Sequence, residues 1–414
     1  MKVLWFTNTY LPAPPGKEED LRGSGGWMNA LMAALSTDSR HSYTVVSTRT
    51  GKHPEHYFSE GVEAYALPGT GHESASYLKK ILTACQEIVD QVQPDIIHVH
   101  GTERFYGLLG CHQPKSPWPM VISLQGLLGP YAEWYHYFGN RSMRQILRMH
   151  RLIELLVWRG QFPGLLEFRK AAAREQLIVK GNRFFMGRTA WDEAWLHAQN
   201  PNACYFHAGE LLRNEFWQKR WKLEQAQRYR IIFTNPGHPR KGADTLLAAV
   251  ALLKPSFPAI EVCLAGYLST RNGYGRYIRK ELSKLGATAI ALGPLNAAEM
   301  VGQLSKSHVF ISPSFIDNSP NALCEAQLIG MPVISTYTGG VPSLITEGET
   351  GLFFSPGDAP MLAARIRQLF TDDALAIRLG SQSHECACLR HQPARVVDQV
   401  WSAYRQVIDS AAIV

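Results

Sequence analysis

From Ser312 to Ile345 the chain reads SPSFIDNSPNALCEAQLIGMPVISTYTGGVPSLI, and the order of residue types in that stretch decides the fold. Apolar runs at Val309–Ser312 and Pro332–Thr336 predict two strands. Between them Ser319, Pro320 and Asn321 are suited to a helix start, so the N–H groups of the following turn are open to an anion. Strand, loop, helix, strand is the repeating unit of a parallel sheet. Two acids lie eight residues apart in it, Asp317 in the loop and Glu325 a turn or so into the helix. A carboxylate at Glu325 can accept two hydroxyl hydrogen bonds, the pair a ribose diol presents. Asp317 is placed to take a hydroxyl of a sugar beyond the diphosphate. The chemistry of the stretch is that of a polyol beside phosphate.

The same alternation extends in both directions. Strands are expected at Lys2–Thr7, Tyr43–Ser47, Ile96–His100, Met120–Leu124 and Arg183–Met186, with helices at Gly26–Leu35 and Tyr77–Val92. A second series begins at Arg230–Thr234 and runs through Ile260–Ala265 and Thr288–Leu292 into the stretch above. Two such series predict two doubly wound parallel sheets, and 414 residues suit two domains better than one core. The charged, aromatic segment Arg213–Arg228 is expected to link them. Residues 1–205 are assigned to a first domain, 206–390 to a second, and the helical pattern within 391–414 to a helix returning to the first.

The segment Thr234–Phe354 resembles the retaining family 4 glycosyltransferases, whose fold, GT-B, has two Rossmann-like domains facing a cleft and a C-terminal crossover helix. The resemblance rests on the two spaced acids, on Gly330-Met331-Pro332-Val333 and on Gly339-Gly340-Val341-Pro342. It departs from the family at the first acid, which is Asp317 where the family has Glu. The resemblance implies a nucleotide-sugar donor held by Glu325, Asn318, Ser319, Asn321, Ala322 and Leu323, and by Pro294 and Leu295 after an earlier strand. Lys241 in Pro236-Gly237-His238-Pro239-Arg240-Lys241-Gly242 matches the family's phosphate-binding lysine. The family's additional arginine upstream is missing, and Arg240 is the substitute. Cations fixed beside a leaving diphosphate stabilise the transition state more than the ground state.

Where many family members end a strand on a sugar-contacting histidine, Gln125 stands here. An amide cannot shuttle a proton, which fits a front-face displacement in which the leaving phosphate takes the acceptor's proton. Asp317, Lys241 and Gln125 are therefore the catalytic candidates. The resemblance implies no essential metal and no cofactor beyond the sugar nucleotide as co-substrate, and no D-x-D cluster stands beside the phosphate loops.

For the acceptor, His100 at the end of its strand, Glu103 in the following loop as a free carboxylate, and Arg188 are the candidates. His98 and His100 are expected on opposite sides of the sheet, with Arg188 and Asp192 either reaching the ligand crevice or forming an interdomain ion pair. Glycines 23, 25 and 26 precede the first helix, where bare backbone at Gly25 and Gly26 could approach the donor diphosphate or the acceptor. A nicotinamide dinucleotide is disfavoured there. The loop from Asn8 to Arg22 is too long, and the second strand ends Ser47-Thr48-Arg49 without an acid.

Seven scattered cysteines without C-x-x-C spacing predict free thiols in a reducing cytoplasm. The run Met1–Tyr10 reads as a first strand rather than a leader, and no apolar run is long enough to span a bilayer. A net charge of +7 fits an anionic substrate or surface, and nucleic acid is the weakest of the possible partners because no binding motif for it is visible. Arg141, Arg144, Arg148 and Arg151 recur at three- and four-residue spacing, with Ile146, Met149, Ile153 and Leu156 roughly opposite. That pattern predicts a helix that either lies on an anionic membrane or packs on the first domain with a solvated basic face. The sequence thus points to transfer of a hexosyl unit from a nucleoside diphosphate sugar to a glycan or lipid-linked hydroxyl in bacterial surface glycan synthesis. A nucleotide-sugar epimerase and a non-catalytic sugar-nucleotide binder are the alternatives.

Overall fold

The structure is a computed structural model that describes residues 1–9, 11–12, 26–38, 40–51, 53–69, 73–111, 118–150 and 161–412. The chain divides into two compact units. The first comprises 1–129, 170–211 and 391–414, and the second 130–169 and 212–390.

The first unit is built on an eight-stranded sheet. Its strands are β1 (Lys2–Thr7), β2 (Ser42–Thr50), β3 (Glu55–Ser59), β4 (Val62–Gly69), β5 (Ile96–His100), β6 (Met120–Ser123), β7 (Phe184–Gly187) and β8 (Cys204–His207), in the order β3-β4-β2-β1-β5-β6-β7-β8. All pair in parallel except β3 with β4. Period-two alternation gives the central strands two buried faces, while the edge strands β3 and β8 are more exposed. Leu4 and Phe6 of β1 pack with Ile81, Cys85 and Ile178 on one side, and Val3 and Trp5 with Met28, Leu31 and Val400 on the other. The C-terminal helix Pro393–Ala412 supplies part of that second layer. Its apolar residues Val396, Val400, Ala403, Tyr404 and Val407 recur at three- and four-residue spacing and are all buried.

The second unit has six parallel strands: β9 (Arg230–Thr234), β10 (Glu261–Ala265), β11 (Ala289–Gly293), β12 (Val309–Ser312), β13 (Val333–Thr336) and β14 (Leu352–Phe354). Their order is β11-β10-β9-β12-β13-β14. Because every pairing is parallel, all the loops that follow these strands emerge at one end of the sheet. The order reverses beside β9, and ligands of open α/β sheets bind at such a point. Among the described residues no helix is long and apolar enough to cross a membrane.

Three expectations need correction. The expected linker Arg213–Arg228 is a packed part of the second unit. Phe216, Trp221 and Leu223 are buried in its core, Trp221 N donates to Ile329 O at 2.7 Å, and Trp221 Nε1 donates to Ser307 O at 2.8 Å. The charges of the segment misled, because its aromatic residues carry the burial. The chain passes between units at 211–212 rather than at 205–206, and residues 130–169 group with the second unit.

The four-arginine face is the third. The helix covers only Met143–Met149, begun by a capping box of Ser142 and Gln145, so Arg141 precedes it. Arg141 is buried, paired with Asp244 and stacked 4.9 Å from the Tyr274 ring centroid. Arg144 and Arg148 are exposed, while Arg151, Ile153 and Leu156 lie outside the described residues.

Candidate active site

The loop from Ser312 to Asn318 is fixed from β13. Ser335 Oγ donates to Ser312 O at 3.1 Å, Thr336 Oγ1 to Ser314 O at 2.5 Å, and Thr338 Oγ1 to Phe315 O at 2.9 Å. The hydroxyl-rich run Ser335-Thr336-Tyr337-Thr338 is thus a ladder for the acid-bearing loop. Gly340 N donates to Asp317 O at 3.0 Å, and at Gly339, whose φ is +52°, a Cβ would lie 2.1 Å from the same oxygen. The Gly-Gly turn therefore clamps the Asp317 backbone in a way that a side chain would prevent.

Lys241 reaches this acid. It ends the short 3-10 turn Pro239–Lys241, and Gly242 then opens the helix Ala243–Leu253 in a left-handed conformation at φ +71°. A Cβ at Gly242 would stand 2.0 Å from Pro313 O, so the close approach of this turn to the end of β12 requires glycine. Lys241 Nζ donates to Asp317 Oδ2 at 2.5 Å, and Ser314 Oγ donates to the same oxygen at 3.1 Å. The structure thus joins two catalytic candidates 76 residues apart in the chain.

Glu325 lies on the helix Asn321–Leu328 and is 4% exposed. Pro320 is the N-cap and makes no side-chain cap bond, so neither Ser319 nor Asn321 closes the helix start. Leu323 N and Cys324 N both donate to Pro320 O. Asn318 and Leu323 are buried, while Ser319, Asn321 and Ala322 are half-buried at the opening turn. Arg213, which sequence reasoning placed in a linker, grips Glu325: Nε donates to Oε1 at 2.7 Å and Nη2 to Oε2 at 2.9 Å. Burial raises the proton affinity of Glu325, and the Arg213 guanidinium opposes that rise. A bidentate partner distant in the chain leaves no spacing signal, so nothing local could have revealed it.

Pro294 and Leu295 follow β11 at the same end of the sheet, where Gly266 N donates to Gly293 O at 2.7 Å. Arg240 is engaged differently from Lys241. Its guanidinium lies 4.7 Å from the Tyr131 ring centroid and 6.0 Å from that of Phe168, both in the second unit. Its neighbour His238 is held neutral, its pKa pushed down to about 3 by burial and by the adjacent Arg240 and Lys241.

In the first unit, His98 and His100 face the same side of β5, with ring centroids 3.8 Å apart. Residues two apart on a strand share a face, so the expectation of opposite sides is corrected. His98 bonds the Tyr404 hydroxyl at 2.7 Å and Ser123 Oγ at 2.6 Å, and burial pushes its pKa down to about 3. His100 is also buried and held well below the usual histidine range by desolvation, and neither of its ring nitrogens has a hydrogen-bond partner among the described residues. A cavity of about 20 Å3 touches His98, His100, Ser123, Trp27 and Arg188. Arg188 stacks 4.7 Å from the Trp27 ring centroid and approaches Glu210 at 3.4 Å. Both partners are in the same unit, so this is no interdomain pair. Asp192 instead closes a capping box with Thr189 and accepts from Arg188 N.

Glu103 is not a free carboxylate. Its oxygens accept from Gly126 N at 3.2 Å and Asn8 Nδ2 at 3.2 Å, which ties down the turn beside Gln125. A second acid acts alongside it. Glu175, fully buried, accepts from Thr102 Oγ1, Leu128 N and Gly129 N, and burial lifts its pKa to about 7. Sequence reasoning overlooked Glu175 because it sits mid-helix in Gln161–Gly181, where acids are ordinarily solvated. Gly26 opens the helix Gly26–Leu35, and Gly23 and Gly25 lie outside the described residues.

Comparison with known proteins fits this geometry. Residues 215–385 match the family described as "Glycosyl transferases group 1", and residues 27–149 match "Glycosyl transferase 4-like". The chain belongs to the glycosyltransferases of the GT-B fold. The matched regions of this glycosyltransferase contain both acids, Lys241 and Gln125. It is 29% identical over 382 residues to a D-inositol 3-phosphate glycosyltransferase of Arthrobacter sp. (strain FB24), covering 88% of this chain and 86% of the relative. It is 24% identical over 355 residues to the sulfoquinovosyl transferase SQD2 of Arabidopsis thaliana, covering 82% of this chain but 62% of that longer protein. Among solved structures it superposes on sucrose-phosphate synthase from Thermosynechococcus elongatus with a TM-score of 0.75 at 17% identity, over 99% of each chain. It superposes on Anabaena HepE in complex with UDP and glucose with a TM-score of 0.63 at 15% identity, over 97% of this chain and 98% of the other. At such identities the likeness is one of fold.

Proposed function

We propose that this glycosyltransferase moves a hexosyl unit from a UDP- or GDP-type sugar nucleotide to a hydroxyl of a lipid-linked or oligosaccharide acceptor, with retention at the anomeric carbon. The setting would be bacterial surface glycan synthesis in the cytoplasm. The observation that carries the reading is the pairing of Lys241 with Asp317 at 2.5 Å, at the strand ends that also present the opening turn of the Asn321–Leu328 helix. That turn and the ammonium form an anion site, and the carboxylate beside them suits a sugar hydroxyl. The HepE complex supports a uridine nucleotide as one donor class to test.

In this reading the bond from the anomeric carbon to the β-phosphate oxygen breaks while the acceptor oxygen bonds to that carbon on the same face. The acceptor's proton passes to the leaving phosphate oxygen. Lys241 meets the charge that grows there, so the step calls on a side-chain cation rather than a metal. Gln125 orients the sugar without exchanging a proton. His100 and Arg188 are the residues proposed for the acceptor.

Calorimetry with a panel of sugar nucleotides, followed by assays for slow nucleotide release, tests the assignment. One UDP- or GDP-hexose is expected to bind and to be hydrolysed slowly without acceptor. Binding without any release would favour a non-catalytic binder, and inversion of the released sugar's configuration at a ring carbon would favour an epimerase. Within the same panel, Glu325→Gln is expected to weaken free nucleoside diphosphate and sugar nucleotide alike, by about tenfold, the worth of a hydrogen bond to a charged group. Asp317→Asn is expected to weaken mainly the sugar nucleotide. Equal losses from both variants would overturn this division of roles.

A further inference from the structure

We propose that Arg213 is a positioning residue for the donor nucleotide: its guanidinium fixes the plane of the Glu325 carboxylate so that one oxygen remains turned toward a ribose hydroxyl. The proposal rests on the assignment of Glu325 to the donor ribose. Arg213 contacts both oxygens at once, Nε with Oε1 at 2.7 Å and Nη2 with Oε2 at 2.9 Å. A fork of two parallel bonds sets the orientation as well as the position of a carboxylate, which a point-charge lysine does not. The fork takes the lone pairs on the shared edge of the carboxylate, and the remaining lone pairs of the two oxygens diverge, so one oxygen is left open to a ligand hydroxyl. The guanidinium is itself held, lying 4.8 Å from the Phe216 ring centroid, and Phe216 is fully buried.

A purely structural role is the competing explanation, in which the pair staples the segment before β9 to the helix after β12. The packing argues against it, because that segment is already anchored. Phe216, Trp221 and Leu223 are buried, and Trp221 bonds Ile329 O and Ser307 O. Desolvation also raises the proton affinity of Glu325, so removing Arg213 would favour a protonated carboxyl, which is a poorer acceptor for a hydroxyl. The charged form that binds would then be lost progressively as pH falls.

The test compares Arg213→Gln, Arg213→Lys and Glu325→Gln for binding of UDP and GDP and of their 2′-deoxy forms, from about pH 8 to about pH 6, with thermal melting alongside. Arg213→Gln is expected to fold and to weaken the ribonucleotide by about tenfold or more. The loss should deepen as pH falls and be much smaller for the 2′-deoxy form. Arg213→Lys is expected to restore the pH profile, because it restores charge, but only part of the affinity, because it lacks the fork. If Glu325→Gln weakens the nucleotide and Arg213→Gln does not, Arg213 is a structural staple and the proposal falls alone. If Glu325→Gln leaves nucleotide affinity unchanged, the ribose assignment fails and takes this proposal with it.

Discussion

Lys241→Ala is expected to lower kcat by about 10²- to 10³-fold, the cost of removing one fixed donor from a developing oxyanion. Two effects combine in that loss. The ammonium that meets the leaving phosphate is gone, and Asp317, which it neutralises at 2.5 Å, is left as an uncompensated charge. A carboxylate left near a phosphate charge repels it by an energy on the order of a few kcal/mol at the effective dielectric of a partly wet site. Ground-state binding should therefore weaken as well, by a smaller factor than turnover. The double variant Lys241→Ala with Asp317→Asn separates the two contributions. Nucleoside diphosphate affinity should recover in it, and kcat should stay low. Steady-state kinetics that show an unchanged kcat for Lys241→Ala would remove this residue from the reaction.

The parts of the fold that the sequence made legible are those that bury both faces. β1, β5, β9 and β12 are continuous apolar runs, and their expected and observed limits coincide. β3 and β4 escaped because β3 is exposed at the sheet edge and its Glu55-His56 start reads as loop. β8, also at an edge and only half-buried, offered as little contrast. The acid loop and Lys241 were legible because their residue types and spacing form a motif. Their partners were not. Arg213 lies 112 residues from Glu325, and the hydroxyl ladder from Ser335, Thr336 and Thr338 looks like ordinary strand-end polarity until the backbone oxygens it serves are known. The acceptor candidates show the opposite failure. Glu103 looked free because a loop acid usually is, yet a folded loop leaves backbone N–H groups that need acceptors, and Gly126 N takes it.

Arg141→Ala is expected to destabilise the second unit by about 3 kcal/mol, far more than any other arginine in its run. Arg141 is 7% exposed, and its guanidinium pairs with Asp244, donates to Phe138 O at 3.1 Å and stacks against both Tyr274 and Tyr277. Deleting it strands the Asp244 carboxylate and opens space beside two aromatic rings. The figure sits at the low end for a broken buried pair because the Asp244 side chain, 24% exposed, keeps some contact with water. Asp244→Asn in the Arg141→Ala background should return part of the loss, since it removes the stranded charge. Arg144→Gln and Arg148→Gln, on exposed positions, should change stability by less than about 0.5 kcal/mol. Urea denaturation followed by tryptophan fluorescence measures all four. This ordering bears directly on any membrane role, because replacing the arginines together would destabilise the protein through Arg141 at the same time as it changed a surface. Vesicle co-sedimentation is therefore informative only with Arg144 and Arg148 changed and Arg141 kept. An Arg141→Ala protein as stable as the parent would show that the pair with Asp244 contributes nothing to stability.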